Sequence, residues 1–344
     1  MRSIRSQLIS SIVLASSFIV ALLLAEIATR LTGLAALGIT DPMFQPSAYP
    51  GVSYEFKSNA SGFVWGHTRL ETNSYGLRGP EVTLAKPKAT YRVGIFGDSV
   101  TFGQGVADKD TYTRVLERRL REKFRPRGLI VEVLNFGVPS YNITNMVSSF
   151  TEKGVRFGLD IAVLAPILED FGFHRDHKAD QYGYPVHAST PMNPGPLKNM
   201  LRHIHLAYLV RDAYWSLTGA GSPALHALTE ADSESELAGA TWERADREIS
   251  RFAAVGRQRG IIPIYIALGR RAPRIDQVVD RLGLQQIEMA PVVEQYDAAT
   301  LQVSARDAHP SAFHHSLIAN ELFKVIVPTM EARVDRAAAM GGLL

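Results

Sequence analysis

Ile95-Phe96-Gly97-Asp98-Ser99-Val100-Thr101-Phe102-Gly103 is the stretch on which the fold turns. It ends a hydrophobic run, Tyr91 to Phe96, that reads as a strand. It leads to Thr111–Phe124, where Tyr112, Val115, Leu116 and Leu120 fall near 3.6-residue spacing and predict a helix. Ser99 therefore lies just past a strand and before a helix. In open α/β sheets this is the edge where ligands bind.

The same alternation continues outward. Ile130–Asn135 reads as a second strand and Asn142–Phe157 as a second helix. Asp160–Pro166 is a third strand. Trp242–Arg259 is a helix stopped near Gly260, Ile261–Ala267 a fourth strand, Gln286–Met289 a weak fifth, and Ser311–Val327 the last helix. Strands alternating with helices predict an α/β domain with a parallel sheet of about five strands, covered on both faces. Near its end, Asp307-Ala308-His309-Pro310 offers a histidine with a carboxylate two residues before it. Serine, histidine and acid are the parts of an activated nucleophile. The imidazole takes the hydroxyl proton, and the acid fixes the tautomer.

Gly97-Asp98-Ser99 with Phe102-Gly103 resembles the opening signature of the SGNH (GDSL) hydrolases, serine esterases and acyltransferases, and Asp307-Ala308-His309-Pro310 resembles the closing one. Val133-Leu134-Asn135-Phe136-Gly137-Val138 is similar to the second block. Asn73-Ser74-Tyr75-Gly76-Leu77-Arg78-Gly79-Pro80-Glu81 is similar to a segment of membrane-anchored members. The resemblance spans about residues 70 to 330. It implies a flavodoxin-like three-layer α/β/α sandwich. It also implies Ser99 as nucleophile, His309 as base, Asp307 as orienting acid, and the Ser99 and Gly137 amides as oxyanion donors. Asp98 reads as a turn residue. The family's usual acid stands three residues before the histidine, against two here. Its third block ends in Asn-Asp, with that Asn an oxyanion donor, whereas this chain has Glu169-Asp170. An ionised Glu169 cannot donate, and losing one donor costs roughly 10²–10³ in rate. Glu169 is a neutral acid that donates, or it turns away, or ordinary hydrolysis is lost. Asn135, Asn142 and Asn145 are candidate replacement donors.

The chain has 344 residues, 37 basic against 34 acidic, for a net charge of +3, so no strong field points to nucleic acid. It has no cysteine, which excludes disulfides, thiol catalysis and cysteine-ligated metal. Ser6–Ala25 is a charge-free run of twenty residues, preceded by Arg2 and Arg5 and followed by Glu26 and Arg30. About twenty apolar residues span a bilayer core. Positive charge on the leading side keeps that end cytoplasmic. Residues 1–32 are thus expected to be a single-pass inner-membrane anchor with the rest periplasmic; a cleaved signal peptide is the alternative.

Residues 33–90 form a β-rich connector, 91–330 the hydrolase-like domain and 331–344 a tail. Residues 172–238 interrupt the alternation. This insertion is expected at the carboxyl edge of the sheet, shaping the site for the leaving group or acceptor. His174-x-x-His177 has a spacing compatible with one metal-binding helix face, but no third ligand is evident, and no metal or cofactor is expected. His314 and His315 read as surface or packing residues. The sequons at Asn59 and Asn142 match glycosylation sites, although Asn142 lies too near the candidate site for modification.

Two functions follow. One is an extracytoplasmic esterase or O-acyltransferase acting on acylated carbohydrate or another small ester. The other is a binding or assembly protein on the same fold, disabled at Glu169. A lipase-like activity on membrane lipid is a weaker third, since no stretch of the insertion suggests a long acyl groove.

Overall fold

The charge-free run lies in helix α1, Arg2–Thr32, in a computed structural model that describes residues 2–35, 38–65, 68–172, 176–218, 239–269, 272–305 and 307–339. Its most apolar 18-residue window, within Ser6–Thr32, has a mean hydropathy of 2.5 and is not buried in the molecule. By length and composition it can cross a membrane, as an anchor or as a signal sequence.

The lead-in that follows holds two short hairpins. Strands β1 (Phe44–Pro46) and β2 (Tyr54–Phe56) pair antiparallel, as do β3 (Ser61–Phe63) and β4 (Arg69–Glu71). Hairpins this small are marginal alone; these share the main core. Phe56 stacks on Phe102 with ring centroids 4.8 Å apart. The buried Lys153 ammonium reaches Glu55 at 2.7 Å and donates to the Tyr75 carbonyl at 2.9 Å.

The central layer begins with β5 (Thr90–Gly97), followed by the one-turn helix α2 (Ser99–Phe102) and α3 (Tyr112–Phe124). Then come β6 (Ile130–Asn135), α4 (Ile143–Ser148) and β7 (Ile161–Ala165). The insertion contributes the hairpin β8 (His177–Ala179) and β9 (Pro185–His187), then α5 (Pro196–Leu201) and α6 (His205–Thr218). Helix α7 (Ala240–Gln258), β10 (Ile262–Ala267), α8 (Pro273–Arg281) and β11 (Gln285–Glu288) complete the alternation. A last hairpin, β12 (Gln302–Ser304) and β13 (Asp307–Pro310), leads into α9 (Ala312–Ala339).

The five-stranded sheet runs β11-β10-β7-β5-β6, every pair parallel. This is the flavodoxin-like order, with the switch point between β5 and β7. The two-residue period of a strand divides the core. Val93, Ile95, Val131, Val133, Ile161 and Val163 face α3 and α9, where they meet Val115, Leu116, Leu120, Ile318, Leu322 and Ile326. Phe96, Leu134, Ala162 and Leu164 face the other way, toward α4, α7 and the lead-in. The result is a three-layer α/β/α sandwich. Each such buried Leu, Ile or Phe contributes roughly 1.5–3 kcal/mol relative to exposure.

The helix expected over 142–157 is regular only to Ser148. It widens into a π turn at Ser149–Lys153 and tightens to 3-10 at Gly154–Phe157. Gly154, where the two turns meet, lies against Phe96: a Cβ there would sit 2.5 Å from its ring. The last helix does not stop at the expected Val327 but passes Pro328 and reaches Ala339. Tertiary contacts outweigh the proline here. Met330 is buried, Lys123 pairs with Glu331 at 3.0 Å, and Arg127 pairs with Asp335 at 2.8 Å.

The described part of the insertion meets the sheet's carboxyl edge through Asp176, which accepts from Asn142 Nδ2 at 2.7 Å and from Arg244 at 2.9 Å. Its hairpin rests on the lead-in, with the Phe44 amide donating to Gly183 O at 3.0 Å, while α6 packs against α1.

Candidate functional site

Ser99 is the first residue of α2, directly after β5. Asp98 caps that helix: its Oδ1 accepts from the Val100 amide at 2.8 Å. Gly103 closes the turn at φ +85°, its amide donating to the carbonyls of Ser99 and Val100. That left-handed conformation suits glycine. The single turn holds the serine side chain at the sheet's edge, with the backbone spent on cap bonds.

Across 210 residues of chain, His309 Nε2 lies 2.9 Å from Ser99 Oγ. His309 Nδ1 lies 2.6 Å from Asp307 Oδ1, which also accepts from the His309 amide at 3.1 Å. The carboxylate fixes the tautomer: Nδ1–H donates to Asp307, leaving Nε2 to accept from the serine hydroxyl. The two-residue spacing works because 307–310 is a strand, in which residues i and i+2 share a face. Ser99 and Asp307 are buried, and the His309 side chain is about one quarter exposed, so the imidazole edge meets solvent.

Arg78 supports this turn from the lead-in. It is 3% exposed. Its guanidinium donates to the carbonyls of Phe102 (2.8 Å), Gly103 (2.5 Å) and Val106 (2.7 Å), and lies over the Phe102 ring at 5.1 Å. Burial pulls its pKa down to about 10, against the opposing pull of Asp108. The sequence singles out Arg78 only as part of a resembling segment. No sequence signal shows which carbonyls it reaches.

Behind the site, His315 is fully buried, accepts from the Tyr112 amide at 3.2 Å and stacks on the Tyr112 ring. Burial, reinforced by His314, Arg78 and His309, pushes its pKa down to about 3. His314 is shifted downward too, again by burial. Both are packing residues.

Gly137 is the residue whose amide is expected at an oxyanion. Its amide donates to Asn135 Oδ1 at 2.9 Å, while Asn135 Nδ2 donates to Thr101 O at 2.8 Å. A Cβ at 137 would lie 2.3 Å from the Phe102 nitrogen. Gly137 is thus required for close packing against α2, and its N–H is already engaged. Three residues on, Ser140 adopts φ +62°, a left-handed conformation uncommon outside glycine and asparagine. No residue type at this position announces it. Asn135 braces the turn; Asn142 caps α4, accepting from the Asn145 amide at 2.9 Å. Asn142 is buried, so its sequon is closed to modification.

Glu169 sits half-buried in the 3-10 turn Leu168–Phe171 after β7, and the adjoining Asp170 accepts from the Ile167 amide at 2.9 Å. His174 lies outside the described residues. His177 is in β8, its ring edge-on to His187 at 5.8 Å. Among the described residues no cluster of three or more His, Asp or Glu suits a metal ion.

No family model and no curated protein matches the chain. Solved structures are similar to it over about two thirds of its length. A G-D-S-L-family lipolytic protein from Desulfitobacterium hafniense is 14% identical, with a TM-score of 0.38 over 68% of this chain and 98% of that one. A lipase/acylhydrolase from Enterococcus faecalis is 12% identical, with a TM-score of 0.39 over 69% and 95%. A family 3 carbohydrate esterase from Clostridium thermocellum is 13% identical, with a TM-score of 0.37 over 71% and 98%.

Proposed function

We propose that the chain is a membrane-anchored, extracytoplasmic serine esterase or O-acyltransferase acting through Ser99, His309 and Asp307. One observation carries the reading: the unbroken contact from Asp307 Oδ1 through the imidazole to Ser99 Oγ, at 2.6 and 2.9 Å. In the first half-reaction Ser99 Oγ bonds to the acyl carbon and the ester C–O bond breaks. The hydroxyl proton passes to His309 Nε2 and on to the leaving alkoxide. In the second half, water or a sugar hydroxyl gives His309 its proton and takes the acyl group, and Oγ is released with a proton. Attack by water is hydrolysis; attack by the sugar is transfer.

The Ser99 amide, at the first position of α2, has no acceptor within its own helix and is available to the oxyanion. Gly137 can join only by sharing its N–H with Asn135. A periplasmic location behind α1 favours acyl esters of envelope or secreted glycans as substrates.

The competing reading is a binding or assembly protein with disabled chemistry. Glu169 in place of a donor and the engaged Gly137 amide favour it. A fluorophosphonate probe separates the two. A single adduct on the full-length chain, absent from Ser99→Ala, supports the enzyme. No adduct on either supports the binding protein. Glu169→Asn sharpens the result. A gain of tenfold or more in esterase activity marks an impaired hydrolase, and loss of a native activity gives Glu169 a role of its own.

A further inference from the structure

We infer that helices α5 and α6 of the insertion form an amphipathic surface that lies on the same bilayer that α1 enters. The inference rests on the anchor reading of α1 and is independent of the chemistry at Ser99.

The first observation is a pattern. Leu197, Met200 and Leu201 of α5 are exposed at i, i+3 and i+4. Val210, Tyr214 and Leu217 of α6 are exposed at i, i+4 and i+7, Leu217 to 87%. Soluble helices turn such a stripe inward. On α6 the protein-facing side is a different one. Tyr208 and Arg211 crowd Gly38, where a Cβ would meet them at 2.8 and 2.5 Å. At 100° per residue the 210/214/217 stripe lies about 120° round the helix from that contact.

The second observation says what covers the stripe. Glu26, the first charge after the apolar run, accepts from the amides of His205 at 3.0 Å and Leu206 at 2.7 Å, the first two residues of α6. Arg30, one turn further, donates to His203 O at 2.6 Å and pairs with Glu26 at 2.7 Å. The twenty residues Ser6–Ala25 rise about 30 Å, the thickness of the hydrocarbon core. Glu26 therefore marks the water boundary of the membrane, and the α5–α6 corner is fastened to that boundary. An apolar stripe held there, with an aromatic hydroxyl at Tyr214, has the composition of a helix seated among lipid headgroups. Membrane lipid is the occupant that continuity with α1 selects.

The chain has no cysteine, so single cysteines can be labelled cleanly. Leu197→Cys, Val210→Cys and Leu217→Cys would carry an environment-sensitive fluorophore in the full-length chain. Leu14→Cys in α1 and Glu122→Cys on α3 serve as lipid and water controls. The host is phosphatidylcholine/phosphatidylglycerol vesicles. Labels at 197, 210 and 217 are expected to be quenched at least twofold more by a shallow lipid-borne nitroxide than the label at 122, and to resist aqueous iodide. Iodide quenching equal to that at 122, with 14 in lipid, overturns the inference and leaves the anchor standing. Shielding from both quenchers means protein covers the stripe, and also overturns it. If 14 is itself in water, the anchor reading and this inference fall together, whatever the probe result at Ser99.

Discussion

Arg78→Met removes the guanidinium that holds the nucleophile turn. Three carbonyls lose a charged donor; such bonds contribute roughly 1.5–3 kcal/mol each, or about 4–9 kcal/mol together. Against this stands the cost of keeping the cation buried. A pKa lowered from 12.5 to about 10 corresponds to roughly 3 kcal/mol. The difference predicts a net loss on the order of 3 kcal/mol. Thermal unfolding of the full-length chain, followed by near-ultraviolet circular dichroism, should show a midpoint lower by about 5–10 °C. Because the lost bonds end on residues 102, 103 and 106, the Ser99 turn should loosen before the sheet does. Fluorophosphonate labelling of Ser99 at 20 °C should slow at least tenfold, and Arg78→Lys should fall between. A variant melting within 2 °C of the parent and labelling within twofold would show that the guanidinium does not support the turn.

Asp307→Asn should keep the fold but leave His309 in the wrong tautomer, reducing acyl-ester turnover or probe labelling by about 10⁴-fold, the scale such a constellation sets in serine proteases; a loss under tenfold refutes the orienting role. Gly137→Ala should destabilise by about 1–3 kcal/mol through overpacking on the Phe102 nitrogen. Gly269→Ala, whose Cβ meets only ordinary contacts at 3.8 Å and beyond, should shift the melting midpoint far less. His315, neutral in the fold, takes up a proton on unfolding between pH 6.5 and about 3. The unfolded state binds more protons in that window, so stability falls as pH falls, by about 1.4 kcal/mol per unit and roughly 5 kcal/mol in full. His315→Gln, which keeps an acceptor for the Tyr112 amide, should flatten that slope by about one proton in urea titrations at pH 6, 5 and 4.

The layers of the sandwich were legible because each central strand is an apolar run and each covering helix carries a 3.6-residue stripe. The edge strand β11 was found within one residue despite its two glutamines, since Ile287 alone faces the core. The serine–histidine–aspartate convergence was legible from two motifs at opposite ends of the domain. What stayed hidden depends on which distant group takes a given hydrogen bond. The Gly137 amide goes to Asn135, Arg78 reaches carbonyls some 25 residues on, and Ser140 turns left-handed without a glycine to announce it. The passage of α9 through Pro328 was hidden for a related reason: the ion pairs and the buried Met330 that sustain it come from tertiary neighbours, not from local propensity.

The 210-residue separation of Ser99 from His309 also has a meaning in time. During synthesis the nucleophile turn emerges 210 residues ahead of the histidine. Domains bury such long-range contacts late. A chain stalled or clipped before residue 307 would carry a serine without its base. On the proposed chemistry, reactivity at Ser99 would thus act as a receipt for a chain made as far as its base, and a copy stopped earlier would stay silent.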